Sequence, residues 1–142
     1  MKTEMPTPVP RPHARLSTEQ VITQLRLARE YFVQSGFVTG SPHHTSSDLH
    51  ALDLISADEQ LAGIEGALNE IVTLDYRGPH PPNHESKEPK CKSLRMLQFS
   101  WRSTRFNNRR MFIKFCLHDR RFLLLRLHEE FNPNKFTERT NK

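Results

Sequence analysis

The chain lacks any apolar run long enough to cross a membrane, because a membrane helix needs about 20 mainly apolar residues and no such run occurs. We therefore expect no membrane-spanning segment. Residues 1–15 also lack the apolar core of a secretory signal, and their prolines are typical of a flexible leader. Both absences favour a cytoplasmic protein without membrane contact.

Cysteine is also scarce, with only Cys91 and Cys116 in the chain. Two cysteines build neither a disulfide framework nor a cysteine-based zinc site, so reduced thiols are the simpler interpretation. Histidine offers little more as a metal ligand. His80 and His84 are separated by two prolines and cannot present both rings from one helical face. No metal or other cofactor is predicted.

Charge is unevenly distributed along the chain, although the net charge is only +5. Residues 1–78 hold 6 Lys/Arg against 10 Asp/Glu, whereas residues 79–142 hold 15 against 6. Between Lys92 and His128 there are ten basic residues and one acidic residue, Asp119. This asymmetry predicts an acidic helical part and a basic part that contacts polyanions.

Two capping boxes mark the starts of helices. In Ser17–Gln20 and Ser56–Glu59 a serine is followed three residues later by Gln or Glu, a spacing that satisfies N–H groups at a helix N-terminus. Gly36 is suited to end the first helix. The composition of residues 39–48 predicts a loop, with a short helix over 48–54 as an addition.

A proline-rich joint, residues 77–90, separates the helical part from a region with strand-like alternation. Strands after helices predict an α+β fold in which N-terminal helices pack on a small antiparallel β-sheet. The predicted organisation is a leader (1–15), one domain (16–131) and a polar tail (132–142), with the domain divided into a helical part (16–75), the joint (77–90) and a β-meander (92–129).

The turn between the last two strands decides which side of the sheet their charged residues occupy. A three-residue loop, 118–120, would put Lys114, Arg126 and His128 together on the side turned away from the helices. A two-residue loop, 119–120, would mix the sets and put His128 on the core side. We favour the three-residue loop because it keeps three ionisable side chains out of the core.

A cationic sheet face that carries a histidine is suited to RNA cleavage without a metal. That reaction needs a base for the 2′-hydroxyl, cations for the phosphate and an acid for the 5′-oxygen. Histidine titrates near neutral pH and can serve as acid or base. Aromatic residues among cations can stack on unpaired bases. The candidate nucleic-acid contacts are Arg95, Trp101, Arg102, Arg105, Arg109, Arg110, Phe112 and Arg126.

Four stretches of the chain are similar to pieces of one known family: PHARLS (12–17), SGFV (35–38), CKSLRMLQFSWR (91–102) and MFIKFCLHDRRFLLLRLHEE (111–130). Through them the chain resembles the MqsR group of RelE-like mRNA interferase toxins. The resemblance implies a RelE-like fold, endonucleolytic cleavage of mRNA and neutralisation by a partner antitoxin. A homo- or a hetero-oligomer could form through the antitoxin, and the sequence does not decide between them.

The resemblance also implies where the functional residues lie. Lys92, Lys114 and His128 are the catalytic candidates, and of these Lys114 matches the family's lysine directly. Arg102 stands where the family has glutamine, Phe112 where it has tyrosine, and His128 where it has lysine. Phe112 cannot donate a hydrogen bond as tyrosine would.

Two other classes of function remain open from the residues alone. Basic β-hairpins also occur in modules that bind RNA or DNA without cleaving it, with an affinity that is sensitive to salt. A basic face can equally bind an acidic protein partner. Trp101 is also compatible with core packing, and Arg109 with Arg110 could protect a sheet edge from aggregation.

Overall fold

The computed structural model describes residues 15–78 and 95–130, which form the α+β fold predicted from the sequence. No helix in these two ranges is long and apolar enough to cross a membrane. The elements are α1 (Thr18–Ser35), β1 (Phe37–Thr39), α2 (Pro42–Ala51), α3 (Ala57–Glu70), a 3₁₀ turn (Thr73–Asp75), β2 (Leu97–Ser103), β3 (Arg109–His118) and β4 (Arg121–Glu129).

The two capping boxes start helices α1 and α3, as predicted. At the first, the Ser17 hydroxyl accepts a hydrogen bond from the Gln20 N–H at 3.2 Å, and the Gln20 side-chain oxygen accepts from the Ser17 N–H at 2.8 Å. The second box has the same reciprocal pair. Gly36 ends α1 with a φ of 71°, a left-handed value that glycine adopts without strain.

Helix α2 occupies most of the segment for which a loop was predicted. Its composition is poor in helix-forming residues, so the sequence predicted a helix only over 48–54, which overlaps the last turn of α2. The helix is held instead by a remote strand: the Thr45 hydroxyl lies 3.0 Å from the carbonyl oxygen of Leu124 and 2.8 Å from that of Leu125. The loop prediction was therefore wrong, because tertiary contacts outweigh weak helix propensity here.

The four strands form one sheet in the order β1-β4-β3-β2. The antiparallel pairs β2–β3 and β3–β4 correspond to the predicted meander. Strand β1 was not predicted, since three residues are too few to show alternation. It pairs in parallel with β4 and makes the sheet mixed. Past the end of β1, helix α2 lies beside the edge of β4 in place of a strand.

The main core lies between the sheet and helices α1 and α3. Helix α1 contributes Val21, Leu25 and Phe32, which contact a row of buried side chains on the sheet. We call this side of the sheet the inner face and the opposite side the outer face. The inner-face residues of β2 and β3 are Leu97, Phe99, Trp101, Met111, Ile113 and Phe115.

Candidate functional site

The turn between β3 and β4 has two residues, not the three that we favoured from the sequence. His118 pairs directly with Arg121, and the turn residues Asp119 and Arg120 have φ values of 55° and 58°. Left-handed values at both positions are typical of two-residue hairpins, because they match the twist of the strands. The favoured loop was wrong, because a bulge further along β4 keeps the three ionisable side chains out of the core even with a two-residue turn.

Beyond Leu125, a β-bulge in β4 restores the distribution of side chains that the longer loop would have given, whereas before it Phe122 and Leu124 lie on the inner face and Leu123 on the outer face. Lys114 pairs with Arg126, whereas the next residue of β3 pairs with Leu124, so Leu125 is an extra residue in β4. One extra residue reverses the alternation beyond it. Consequently His128 lies on the outer face with Lys114 and Arg126, as predicted, although by another route.

The outer face collects six of the predicted site residues, and we call this group the cationic face. Its six members form three pairs, and the two residues of each pair lie directly opposite each other on neighbouring strands. The group consists of Arg102, Arg110, Phe112, Lys114, Arg126 and His128.

The contacts that orient His128 on this face include one with a neighbouring ring and one with the backbone. Its ring lies 5.3 Å from that of Phe112, centroid to centroid, with 33° between the planes. Its Nδ1 lies 2.7 Å from the backbone oxygen of Glu129. A carbonyl can only accept, so Nδ1 carries the hydrogen, and Nε2 is the basic nitrogen of the neutral ring.

Arg126 is held on the face by Asp48 of α2. The Arg126 Nε and Nη2 atoms donate to the two carboxylate oxygens at 2.8 and 3.1 Å, and the Leu127 N–H donates to Oδ2 at 3.0 Å. Asp48 is only 6% exposed. Bidentate pairing of this kind fixes the guanidinium plane and balances its charge.

Glu130 gathers donors from three different segments at the end of the cationic face. It accepts hydrogen bonds from the Ser100 hydroxyl, from Arg77 and from the Arg110 Nε, the last at 3.3 Å. Partial burial raises the pKa of Glu130, but these donors outweigh burial and leave the pKa below its usual value. The group is therefore a carboxylate at neutral pH and balances part of the arginine charge.

A cleft of about 360 Å³ opens beside the cationic face, where β4 passes the C-terminal end of α2. Its walls include Ala51 and Leu52 from the helix and Arg126 and His128 from the strand. Arg109, which donates to the Phe106 carbonyl at 3.0 Å, lines the same cleft.

Three predicted site residues lie away from the cationic face. Trp101 is 3% exposed on the inner face and donates its Nε1–H to Glu70 at 2.8 Å, so it packs in the core and the structure offers it no stacking position. The side chain of Arg105 packs against Gly66 of α3. Arg95 lines a groove at the start of α1. Lys92 lies outside the described residues.

Sequence reasoning missed the carboxylates Asp48 and Glu130, which organise the site. Glu130 carried a usable signal, because in an alternating strand it falls two positions after His128 on the same face. Asp48 carried none, because its partner Arg126 is 78 positions away. Within residues 15–78 and 95–130 no group of three or more His, Cys, Asp or Glu side chains is suited to hold a metal ion.

Comparison with known proteins adds no family to this description: no protein-family model, curated protein or solved structure matches the chain.

Proposed function

We propose that this protein is a toxin-type, metal-independent endoribonuclease that cleaves mRNA in the cytoplasm and is neutralised by a partner antitoxin. In this proposal it is a divergent relative of the MqsR group. The observation that carries the proposal is the cross-strand arrangement of the cationic face. Lys114 lies opposite Arg126, and His128 lies opposite Phe112, so a cation pair and an oriented histidine occupy neighbouring positions.

The proposed reaction is attack by the ribose 2′-oxygen on the adjacent phosphorus. A base removes the 2′-hydroxyl proton, the new P–O bond forms as the bond to the 5′-oxygen breaks, and an acid protonates the departing oxygen. The products are a 2′,3′-cyclic phosphate and a 5′-hydroxyl. His128 exchanges its proton through Nε2, and Lys92, which is a candidate from the sequence alone, takes the complementary role.

Phosphate binding is assigned to Lys114, Arg126 and Arg102, whose positive charges stabilise the negative charge that develops on phosphorus. The ion pair with Asp48 is compatible with this role. A guanidinium has five N–H donors, and Asp48 engages only two of those of Arg126. The pair thereby orients the group without exhausting its capacity to donate.

The experiment is incubation of the purified protein with an mRNA transcript in EDTA. We expect cleavage that leaves 5′-hydroxyl ends, and a loss of rate of about 10²–10⁴-fold in His128→Ala, the range for removal of a general acid or base. His118→Ala is the matched control, because His118 is an exposed histidine of the same hairpin. No cleavage by the wild type, or undiminished cleavage by His128→Ala combined with Lys92→Ala, would refute the assignment.

A second candidate is a module that binds RNA or an acidic protein on the same face and catalyses nothing. It is favoured by the ion pairs, since Arg77, Arg110 and Arg126 each pair with a carboxylate and so have structural roles. This candidate predicts salt-sensitive binding from which intact RNA is recovered. Growth arrest on induction, relieved by co-expression of a neighbouring gene, would instead favour the toxin.

A further inference from the structure

The cleft between α2 and β4 has the size and the lining of a site for a single nucleobase. Its volume of about 360 Å³ lies near the lower end of the roughly 300–1,000 Å³ typical of small-ligand sites. A volume of this order is sufficient for one base with its sugar. Ala51 and Leu52 provide an apolar wall of the kind on which a base can lie.

The rim of the cleft carries one donor and one acceptor that are only loosely paired. The Arg109 Nη1 and the Glu129 Oε1 are 3.9 Å apart, which is beyond hydrogen-bond distance. The other two carboxylates of the lining, Asp48 and Glu130, each accept several hydrogen bonds. Arg109 and Glu129 are therefore the groups best suited to bind an incoming ligand.

An unpaired nucleobase matches this rim. The Watson–Crick edge of each base combines hydrogen-bond donors with acceptors, and single-stranded RNA is recognised through such exposed edges. A carboxylate accepts from the donors of that edge and a guanidinium donates to its acceptors. In a duplex the same edge is occupied by the partner base.

The cleft and the cationic face share Arg126 and His128. A base held in the cleft would therefore carry its own phosphate towards those side chains. We propose that the cleft is a subsite for one unpaired nucleobase of single-stranded RNA, next to the phosphate bound by the cationic face. The identity of the polymer rests on the proposed function, whereas the requirement for an unpaired base rests on the cleft.

The experiment measures binding of an RNA octanucleotide whose 2′-O-methyl groups prevent cleavage. Fluorescence anisotropy at physiological salt would give the Kd of the single strand and of the same strand annealed to its complement. We expect the single strand to bind about tenfold more tightly, which is the order of one base contact. A nucleoside monophosphate should compete only at much higher concentration, because it lacks the neighbouring phosphates.

Ala51→Phe fills the cleft without changing the charge, and we expect it to weaken single-strand binding about tenfold. Ala62→Phe is the matched control, because Ala62 is an exposed alanine of α3, and it should leave the Kd unchanged. If Ala51→Phe fails to fold, Glu129→Ala, with exposed Glu65→Ala as its control, tests the rim instead and should weaken binding several-fold.

Equal affinity for single strand and duplex would overturn the proposal. So would unchanged binding by both cleft variants, or a monophosphate that binds as tightly as the octanucleotide. These results are separable from those of the cleavage assay. If the protein does not cleave RNA but shows the expected binding pattern, the nuclease function is refuted and the subsite is supported. If it cleaves RNA and the cleft variants cleave and bind as the wild type does, the subsite is refuted and the nuclease function is supported.

Discussion

The inner and outer faces of the sheet are built from the same strands but are stabilised in different ways. On the inner face, side chains such as Phe99 and Phe115 pack with a ring separation of 5.8 Å in a continuous apolar core. On the outer face, a small apolar cluster around Cys116 adjoins cations that are paired with carboxylates. Apolar packing thus fixes one side, and oriented charge pairs fix the other.

Each face has a carboxylate that accepts several hydrogen bonds, and the donors of the two carboxylates differ. We call Glu70 the inner anchor and Asp48 the outer anchor. At the rim of the inner face Glu70 accepts from Trp101, Ser103, Thr104 and the Arg105 N–H, none of which brings a charge to it. On the outer face Asp48 accepts from a guanidinium. The inner anchor therefore keeps its full negative charge, whereas the outer one lowers the positive charge of the surface around it.

The largest expected effect comes from truncating matched phenylalanines on the two faces of β3. Phe115→Ala should reduce the free energy of unfolding by about 3–5 kcal/mol, because it leaves a cavity in the core. Phe112→Ala should cost about 1–2 kcal/mol, since this side chain is only half-buried. Urea denaturation of both variants measures the difference. Equal losses would mean that the outer face is packed as a second core.

Removal of the inner anchor should have the next largest effect. Glu70→Ala leaves several donors unsatisfied and should cost about 2–3 kcal/mol of unfolding free energy. Glu65→Ala, on the same helix but exposed, should change it by less than about 0.5 kcal/mol. Urea denaturation of the two variants near neutral pH tests this ranking. Similar losses in the two variants would contradict the role of Glu70 as an anchor.

The contribution of Glu70 should also depend on pH. Partial burial raises its pKa, but the hydrogen bonds from Ser103, Trp101, Thr104 and Arg105 outweigh burial and lower the pKa from 4.5 to about 2. A carboxyl with a lowered pKa stabilises the fold fully above its unfolded value, and this contribution is lost as the pH falls from 4.5 towards 2. The stability difference between wild type and Glu70→Gln should therefore shrink between pH 6 and pH 3.

Removal of the negative charge of Asp48, the outer anchor, should have the smallest effect on stability. The same change should strengthen the binding of RNA. Asp48→Asn should cost about 1–2 kcal/mol, because an amide oxygen still accepts from Arg126 and Leu127. The loss of one negative charge should also raise RNA affinity a few-fold. Asp58→Asn on α3 controls for net charge. If both variants raise affinity equally, the effect belongs to the whole protein and not to the face.

Much of the fold was readable from local patterns, whereas the site was readable only in part. The capping boxes at Ser17 and Ser56 and the alternation in β3 act within a few positions, and each produced the expected element. Lys114 and His128 were recognised as outer-face residues, but through the wrong turn. Trp101 was assigned a binding role because aromatic residues look alike in sequence whether they stack on a base or fill a core.

The sequence by itself determined the starts of α1 and α3, the three antiparallel strands and the concentration of positive charge in the second half. These properties depend on neighbouring residues or on composition. Only the tertiary structure decided that residues 42–47 are helical, that Leu125 is the bulged residue and that Asp48 pairs with Arg126 across 78 positions. The energies that settle those choices come from contacts between distant segments, which exist only once the chain has folded.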